Sequence, residues 1–367
     1  MKSDDPHLLG TKLKVVIRTD SSVSIGYGHV MRCLSIAEEL RILGAEVCFI
    51  CKDLKGNLIK DIKEKGYTVY SIAGTDREME FNWQEDQKAV AEILEGMGEV
   101  DWIIIDHYRI NQQWEKSIRP YVLKIMVIDD LADRLHDCDV ILDQGYYSNN
   151  EERYRDLVPV HSLKLFGPGY ALLREEFKQA RNQLRKREGS LRRVMIMFGG
   201  TDPTQETEKA LSALELLMDE EMKVDVVTGE ANERKELIRE RCKRWPNITF
   251  HCQVNYVADL MLKADLAIGA GGSSTWERCF LGLPALTILT ADNQVAMCRE
   301  LEKVNAIMNL GWYDQVSVEM IARKIKEFKQ SPSQLAEISE QGLRLFHQNQ
   351  KEHKEFDWVR RVFYEQG

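Results

Sequence analysis

The chain has 367 residues, 44% of them hydrophobic and 30% charged, which is length enough for two domains with separate cores. Fifty basic residues against fifty-nine acidic ones give a formal charge of −9, which argues against a general nucleic-acid or anionic-membrane binder. No apolar run reaches transmembrane length, and the start MKSDDPHLLGTK lacks a signal core. Residues 1–12 therefore read as a disordered leader on a cytoplasmic protein without membrane insertion.

In chain order, the first half offers the strand runs KVVIR, EVCFIC, TVYSI, DWIIID, KIMVID and VILDQ. Amphipathic stretches separate them. In VMRCLSIAEELRILG the residues Val30, Cys33, Leu34, Ala37 and Leu40 recur at helical spacing before Gly44 stops the helix. The second half offers RVMIMF, KVDVVTG, ITFHC, LAIGA and PALTIL, and after Leu310 the pattern reads as helical to the end. Several strands are nearly unbroken apolar runs, as when both faces of a parallel sheet are covered. Two βα series predict an α/β protein of two doubly wound, Rossmann-like domains, spanning 13–182 and 193–367. The basic run RNQLRKREGSLRR, from Arg181, reads as a solvated helix end or linker between them. Open sheets bind ligands beyond the carboxyl ends of their strands, so the interdomain cleft is the expected site. No long apolar helix or coiled coil demands a dimer, and a monomer is expected.

Most of the eight cysteines lie in apolar segments and read as reduced core thiols; Cys48 and Cys51 have CxxC spacing but fall within a strand, with no second pair. GYGH, residues 26–29, is more informative. Gly26 and Gly28 permit a tight turn, and His29 falls in the first helical turn. Unsatisfied amides and the positive dipole end favour the neutral imidazole there, a base available near neutral pH. A packing or capping histidine is the alternative.

FGGTDP places Gly199, Gly200 and Thr201 at a strand end, as donors to a phosphate or as a helix start led by Asp202 and Pro203. In GAGGSSTWERC, Gly271, Gly272, Ser273, Ser274 and Thr275 surround a helix start, an anion site of amides and hydroxyls without a P-loop lysine. Glu277, one turn further, could accept from ribose hydroxyls or be merely solvated. Asp106, His107 and Tyr108 of IIIDHY, and Asn293 and Gln294 of TADNQ, end strands and are expected at the cleft, where they suit a neutral polar ligand such as a sugar. Asp129, Asp130 and Asp133 lack a compact metal-ligand set and read as turn and salt-bridge residues.

Taken together, IRTDSSVSIGYGHVMRC, CKDLKGNLI, IIIDHY, VIDDLADRLHDCD, GYALLREEF, MFGGTDP and AIGAGGSSTWERCFLGLP occur in the order of a known family. Over residues 13–312 the chain resembles the UDP-sugar hydrolases of pseudaminic acid biosynthesis. The resemblance implies a GT-B-like fold and hydrolysis of UDP-2,4-diacetamido-2,4,6-trideoxy-β-L-altropyranose to free sugar and UDP. It implies inverting attack of water at the anomeric carbon, with no metal and no cofactor. It places the essential histidine at His29 and supporting substrate contacts at Tyr108 and Asn293; Gly28 and Gln294 are substrate-binding candidates beside them. It places the nucleotide-binding loop at Gly271 to Thr275 and the ribose-binding glutamate at Glu277. A GT-B glycosyltransferase using a UDP-amino-sugar donor, and a non-catalytic nucleotide-sugar binding protein, are the alternative readings.

Overall fold

The computed structural model describes residues 12–74, 81–187, 190–347 and 358–365. Seven parallel strands form the first sheet: β1 (Lys14–Thr19), β2 (Glu46–Asp53), β3 (Thr68–Ala73), β4 (Trp102–Asp106), β5 (Lys124–Ile128), β6 (Val140–Asp143) and β7 (Leu163–Phe166). Six more form the second: β8 (Arg193–Met197), β9 (Lys223–Thr228), β10 (Ile248–Cys252), β11 (Leu266–Ala270), β12 (Ala285–Leu289) and β13 (Met308–Trp312). Their spatial orders are β3-β2-β1-β4-β5-β6-β7 and β10-β9-β8-β11-β12-β13. Helices cover both faces of each, which explains the unbroken apolar runs: Val15 and Ile17 of β1 join one core and Val16 the other. In β8 Met195 faces one way and Val194 and Ile196 the other.

Each sheet reverses direction once. The chain runs outward from β1 to β3 and then returns to place β4 on the other side of β1; β8 and β11 repeat the manoeuvre. The loops after β1, β4, β8 and β11 therefore lie at the two crevices where such sheets bind ligands. These loops carry GYGH, DHY, FGGT and GAGGSST.

Four details differ from the sequence reading. Strands β7, LKLF, and β13, MNLGW, are edge strands that periodicity did not reveal. The pairing of β13 with β12 also slips register beside Gly311, whose φ is 105°. Residues Ala171, Leu173, Phe177 and Ala180, expected in the first domain, pack in a core of the second. The helix Trp358–Tyr364, expected with the second, packs into the first, where Trp358, Val359, Val362 and Phe363 are buried. Finally, the basic run is not simply solvated. Arg187 is buried, donating to the carbonyls of Met261, Ala264, Leu281 and Gly282. Carbonyls left unpaired where two helices end attract a guanidinium as strongly as a carboxylate-free site can.

Cys48 and Cys51 lie on β2 and contribute to opposite faces of the sheet, so they cannot pair. Burial pushes both thiols up to about 12. No helix of the described residues is long and apolar enough to cross a membrane.

Candidate active site

The helix Gly28–Ile42 follows a turn closed by the Gly26 amide on Ser22 O, with Gly26 at φ 81°, a conformation that an L side chain would strain. This turn sets His29 in the first helical turn, largely buried, with its ring edge-on to Tyr108 at 4.4 Å. His29 Nδ1 lies 2.6 Å from Asp106 Oδ1 at the end of β4. Arg32, one turn further along the helix, grips the same carboxylate from Nε (2.6 Å to Oδ2) and Nη2 (2.7 Å to Oδ1), and its Nη1 donates to Asp130 at 2.9 Å. Burial alone would raise the Asp106 pKa, but Arg32 and then His29 outweigh it and hold the carboxyl well below the usual range.

An ionised carboxylate only accepts, so Nδ1 carries a proton and donates it to Asp106. Arg32 Nη2, 3.3 Å from Nδ1, is then a neighbouring donor and not a partner. His29 Nε2 forms no hydrogen bond among the described residues. In the neutral ring this nitrogen holds a lone pair. An imidazole oriented by a buried carboxylate is thus assembled from β4 and one helix start, an arrangement that can serve as a base. The expectation named the helix dipole as the principal influence; the carboxylate and guanidinium are the nearer charges.

The run DHY, expected together at the cleft, divides three ways. Asp106 is fully buried against His29. His107 turns into a separate network, with Nε2 3.3 Å from Asp20, Nδ1 accepting from the Arg109 amide, and Phe81 at 4.6 Å. Burial lowers its pKa. Tyr108 reaches across, and its hydroxyl accepts from Asn293 Nδ2 at 2.8 Å. That bond joins the two domains. Asp129 and Asp133 pair with Arg134, as a turn and salt-bridge reading expects, whereas Asp130 braces Arg32.

Across the cleft, a Cβ built on Gly28 would stand 3.9 Å from Ser273 Oγ, so the GYGH turn and the GAGGSST loop face each other. The loop's residues do not all face outward. Gly271 donates its amide to Gln294 Oε1 (3.2 Å), which also accepts from Thr290 N (3.0 Å). Gln294 is therefore a strut beneath the loop, and the Gly271 amide is already used. Thr275 is fully buried, its hydroxyl accepting from Arg278 at 2.9 Å. The helix that follows, Ser274–Phe280, is too short for its dipole to count for much. What faces the cleft is Gly272, Ser273 and Ser274, whose amides find no acceptor among the described residues.

Gly199, at φ 84°, has nothing within 4 Å of where a Cβ would stand, whereas Gly200 lies beside Tyr27. A Cβ on Gly200 would fall 2.4 Å from that ring, so close interdomain packing accounts for this glycine. Thr201 is half-buried, and Asp202 accepts from the amides of Glu206 and Thr207 at the start of the next helix, which begins at Glu206 and so leaves Pro203 outside its first turn. Glu277 accepts from Arg174 Nε at 2.9 Å, and Arg174 also pairs with Glu176 at 2.6 Å. Only one oxygen of Glu277 is thereby engaged. Among the described residues no group of three or more His, Cys, Asp or Glu side chains is arranged to hold a metal ion.

Sequence reasoning did not single out Arg32, Arg174, Gln294 as a strut, or Arg278. Arg32 left a trace: it is a charged residue amid Val30, Cys33 and Leu34, three positions from His29.

Residues 194–355 match the glycosyltransferase family 28 C-terminal domain. The chain is 28% identical over 285 residues to an uncharacterised protein of Methanocaldococcus jannaschii, covering 75% of this chain and 55% of that one, so it spans about half of that relative. It is 28% identical over 296 residues to the UDP-2,4-diacetamido-2,4,6-trideoxy-beta-L-altropyranose hydrolase of Campylobacter jejuni, covering 79% and 97%. It is 30% identical over 166 residues to the spore coat polysaccharide biosynthesis protein SpsG of Bacillus subtilis, covering 45% and 49%. Among solved structures it is similar to Acinetobacter baumannii MurG, with TM-score 0.62 at 14% identity over 95% of this chain and 98% of that one. It is also similar to Arabidopsis thaliana UGT89C1, with TM-score 0.66 at 10% identity over 97% and 99%. The fold is thus of the GT-B type, two parallel-sheet α/β Rossmann-like domains.

Proposed function

We propose that this protein is an enzyme acting on a nucleotide sugar, and that it hydrolyses UDP-2,4-diacetamido-2,4,6-trideoxy-β-L-altropyranose in pseudaminic acid biosynthesis. The observation that carries the reading is His29: its Nδ1 is fixed on buried Asp106 at 2.6 Å while Nε2 has no partner among the described residues. The relative from Campylobacter jejuni, aligned over nearly its whole length, supports the choice of reaction. Water held by Nε2 gives up a proton to the imidazole as its oxygen attacks the anomeric carbon. The bond from that carbon to the diphosphate breaks, and UDP leaves with the electron pair. Asp106 stabilises the imidazolium that forms, without itself taking the proton. Gly272, Ser273 and Ser274 would take the diphosphate, Glu277 the ribose, and Tyr108 and Asn293 the sugar. We place the crossing between the domains at residues 170–174, where Tyr170 and Leu172 pack with the core of the first and Ala171 and Leu173 with that of the second. The active site would lie in the cleft of a cytoplasmic monomer.

His29→Asn tests this directly. The substitution is nearly isosteric and should lower kcat by about two to four orders of magnitude while hardly changing UDP affinity. In oxygen-18 water the label should appear on the sugar. Label on phosphate, or a variant retaining most of its kcat, would overturn the assignment.

A second reading has its own support. The glycosyltransferase family 28 match and the likeness to the spore coat polysaccharide protein favour a transferase using the same donor with another acceptor. Incubation of the UDP-amino-sugar without acceptor separates the two, because prompt release of free sugar belongs to the hydrolase.

A further inference from the structure

Arg278 is 1% exposed and lies directly behind the GAGGSST loop. Its Nη1 donates to Ser274 Oγ at 3.1 Å, and its Nη2 to Ala270 O at 2.7 Å and Thr275 Oγ1 at 2.9 Å. Its Nε is buried with no hydrogen-bond partner. Among the described residues no carboxylate forms an ion pair with it.

That sets it apart from the other buried arginines. Arg18 is shared between Asp20 and Asp86, and Arg32 between Asp106 and Asp130. Arg187 has no carboxylate either, but four main-chain carbonyls use all three of its nitrogens. Burial lowers the Arg278 pKa, outweighing the opposing influence of Cys279, Cys298 and Glu277. An unpaired interior charge costs several kcal/mol, and such groups persist where a ligand supplies the opposite charge.

We propose that Arg278 is the buried cation that makes the GAGGSST loop a diphosphate site, acting as a positioning residue through Ser274. This deepens the reading above and rests on the nucleotide lying at that loop. The chemistry follows from the hydroxyl. Ser274 Oγ accepts from Arg278, so its own proton must point elsewhere, and no acceptor for it exists among the described residues. Ser274 is partly exposed, beside the unpaired amides of Gly272 and Ser273. The guanidinium thus orients the O–H outward as a donor and places a full positive charge one side chain behind it. A nucleoside diphosphate, which gains negative charge as a leaving group, is the ligand class this suits. A neutral sugar or a nucleoside alone would draw nothing from it.

The test is calorimetric titration of the full chain with UDP and with uridine. Arg278→Met keeps the volume and removes the charge. It should weaken UDP binding by about 10- to 100-fold and uridine binding by less than about threefold, so the UDP-to-uridine ratio collapses. Arg278→Lys should restore part of the ratio. Ser274→Ala should reduce it by about threefold to tenfold, and the Arg278→Met/Ser274→Ala pair should be little worse than Arg278→Met, since the two act as one unit. A folded Arg278→Met protein that keeps the parental ratio overturns the proposal. Where Arg278→Met does not fold, an unchanged ratio in Ser274→Ala overturns it equally. Equal affinity of the parent chain for UDP and uridine would instead overturn the placement of the nucleotide itself, and the role of Arg278 with it.

Discussion

Asp106 has to satisfy two donors at once, Arg32 and His29, and replacing it separates its electrostatic duty from its shape. In Asp106→Asn, Arg32 would hold the carbonyl oxygen of the new amide and turn its NH2 towards His29 Nδ1. The imidazole must then accept at Nδ1 and carry its proton on Nε2, where it cannot take another from water. Activity should fall by about two to four orders of magnitude, measured as kcat at saturating substrate. Stability should fall as well, by about 3–5 kcal/mol, because Arg32 loses one of its two carboxylates in a buried place. The sign of the pH dependence follows from a depressed pKa. The carboxylate's contribution is complete above the unfolded value of about 4 and is lost as pH falls through the lower folded value. Urea unfolding of parent and variant should differ most near neutrality and converge in acid; a gap that widens in acid would contradict this. His29 was legible in the sequence because glycines before a helix start mark a turn at a strand end. Its carboxylate partner was not, since Asp106 lies 77 positions away and only the pairing of β1 with β4 brings the two together.

At the scale of elements, the GAGGSST loop is held from beneath by side chains that look like ligand contacts in the sequence. Gln294 is the clearest case: its carbonyl oxygen serves the amides of Gly271 and Thr290. Gln294→Leu leaves the buried Gly271 amide and the half-buried Thr290 amide without an acceptor and should cost about 1–3 kcal/mol. The same change should raise KM through weaker UDP binding while kcat stays within a few-fold, because the His29 and Asp106 pair is untouched. A fall confined to kcat would return Gln294 to the sugar site. Strand existence was legible wherever a β-branched run is buried on both faces. It failed for β7 and β13, where half-buried positions such as Lys164 and the glycine of β13 dilute the pattern, whereas the other edge strands, β3 and β10, kept β-branched runs. Arg187 failed for a related reason: a basic run carries no mark of the carbonyls waiting elsewhere in the chain.

For the whole molecule, the helix Trp358–Tyr364 makes the first domain depend on residues far beyond it in sequence. Phe363 lies 4.6 Å from Trp102 of β4, and Trp358 is edge-on to Tyr170 at 6.1 Å. Phe363→Ala should cost about 3–5 kcal/mol. Hydrogen exchange should locate the loss: amides of β1, β2 and β4 lose protection while those of β8, β11 and β12 keep theirs. Uniform loss across both sheets would mean that the domains unfold as one unit. The two-sheet plan was readable from alternating strand and helix signals, but this return crossing was not, because an amphipathic helix does not say which core it completes. The crossing also bears on how the protein is made. A ribosome releases the first sheet long before residues 358–364 exist, so the domain synthesised first cannot close its core until nearly two hundred further residues have emerged. The second domain has no such wait and can set before its elder neighbour. During that interval the bare face around Trp102 and Leu40 is the part of the nascent chain most in need of a chaperone's cover.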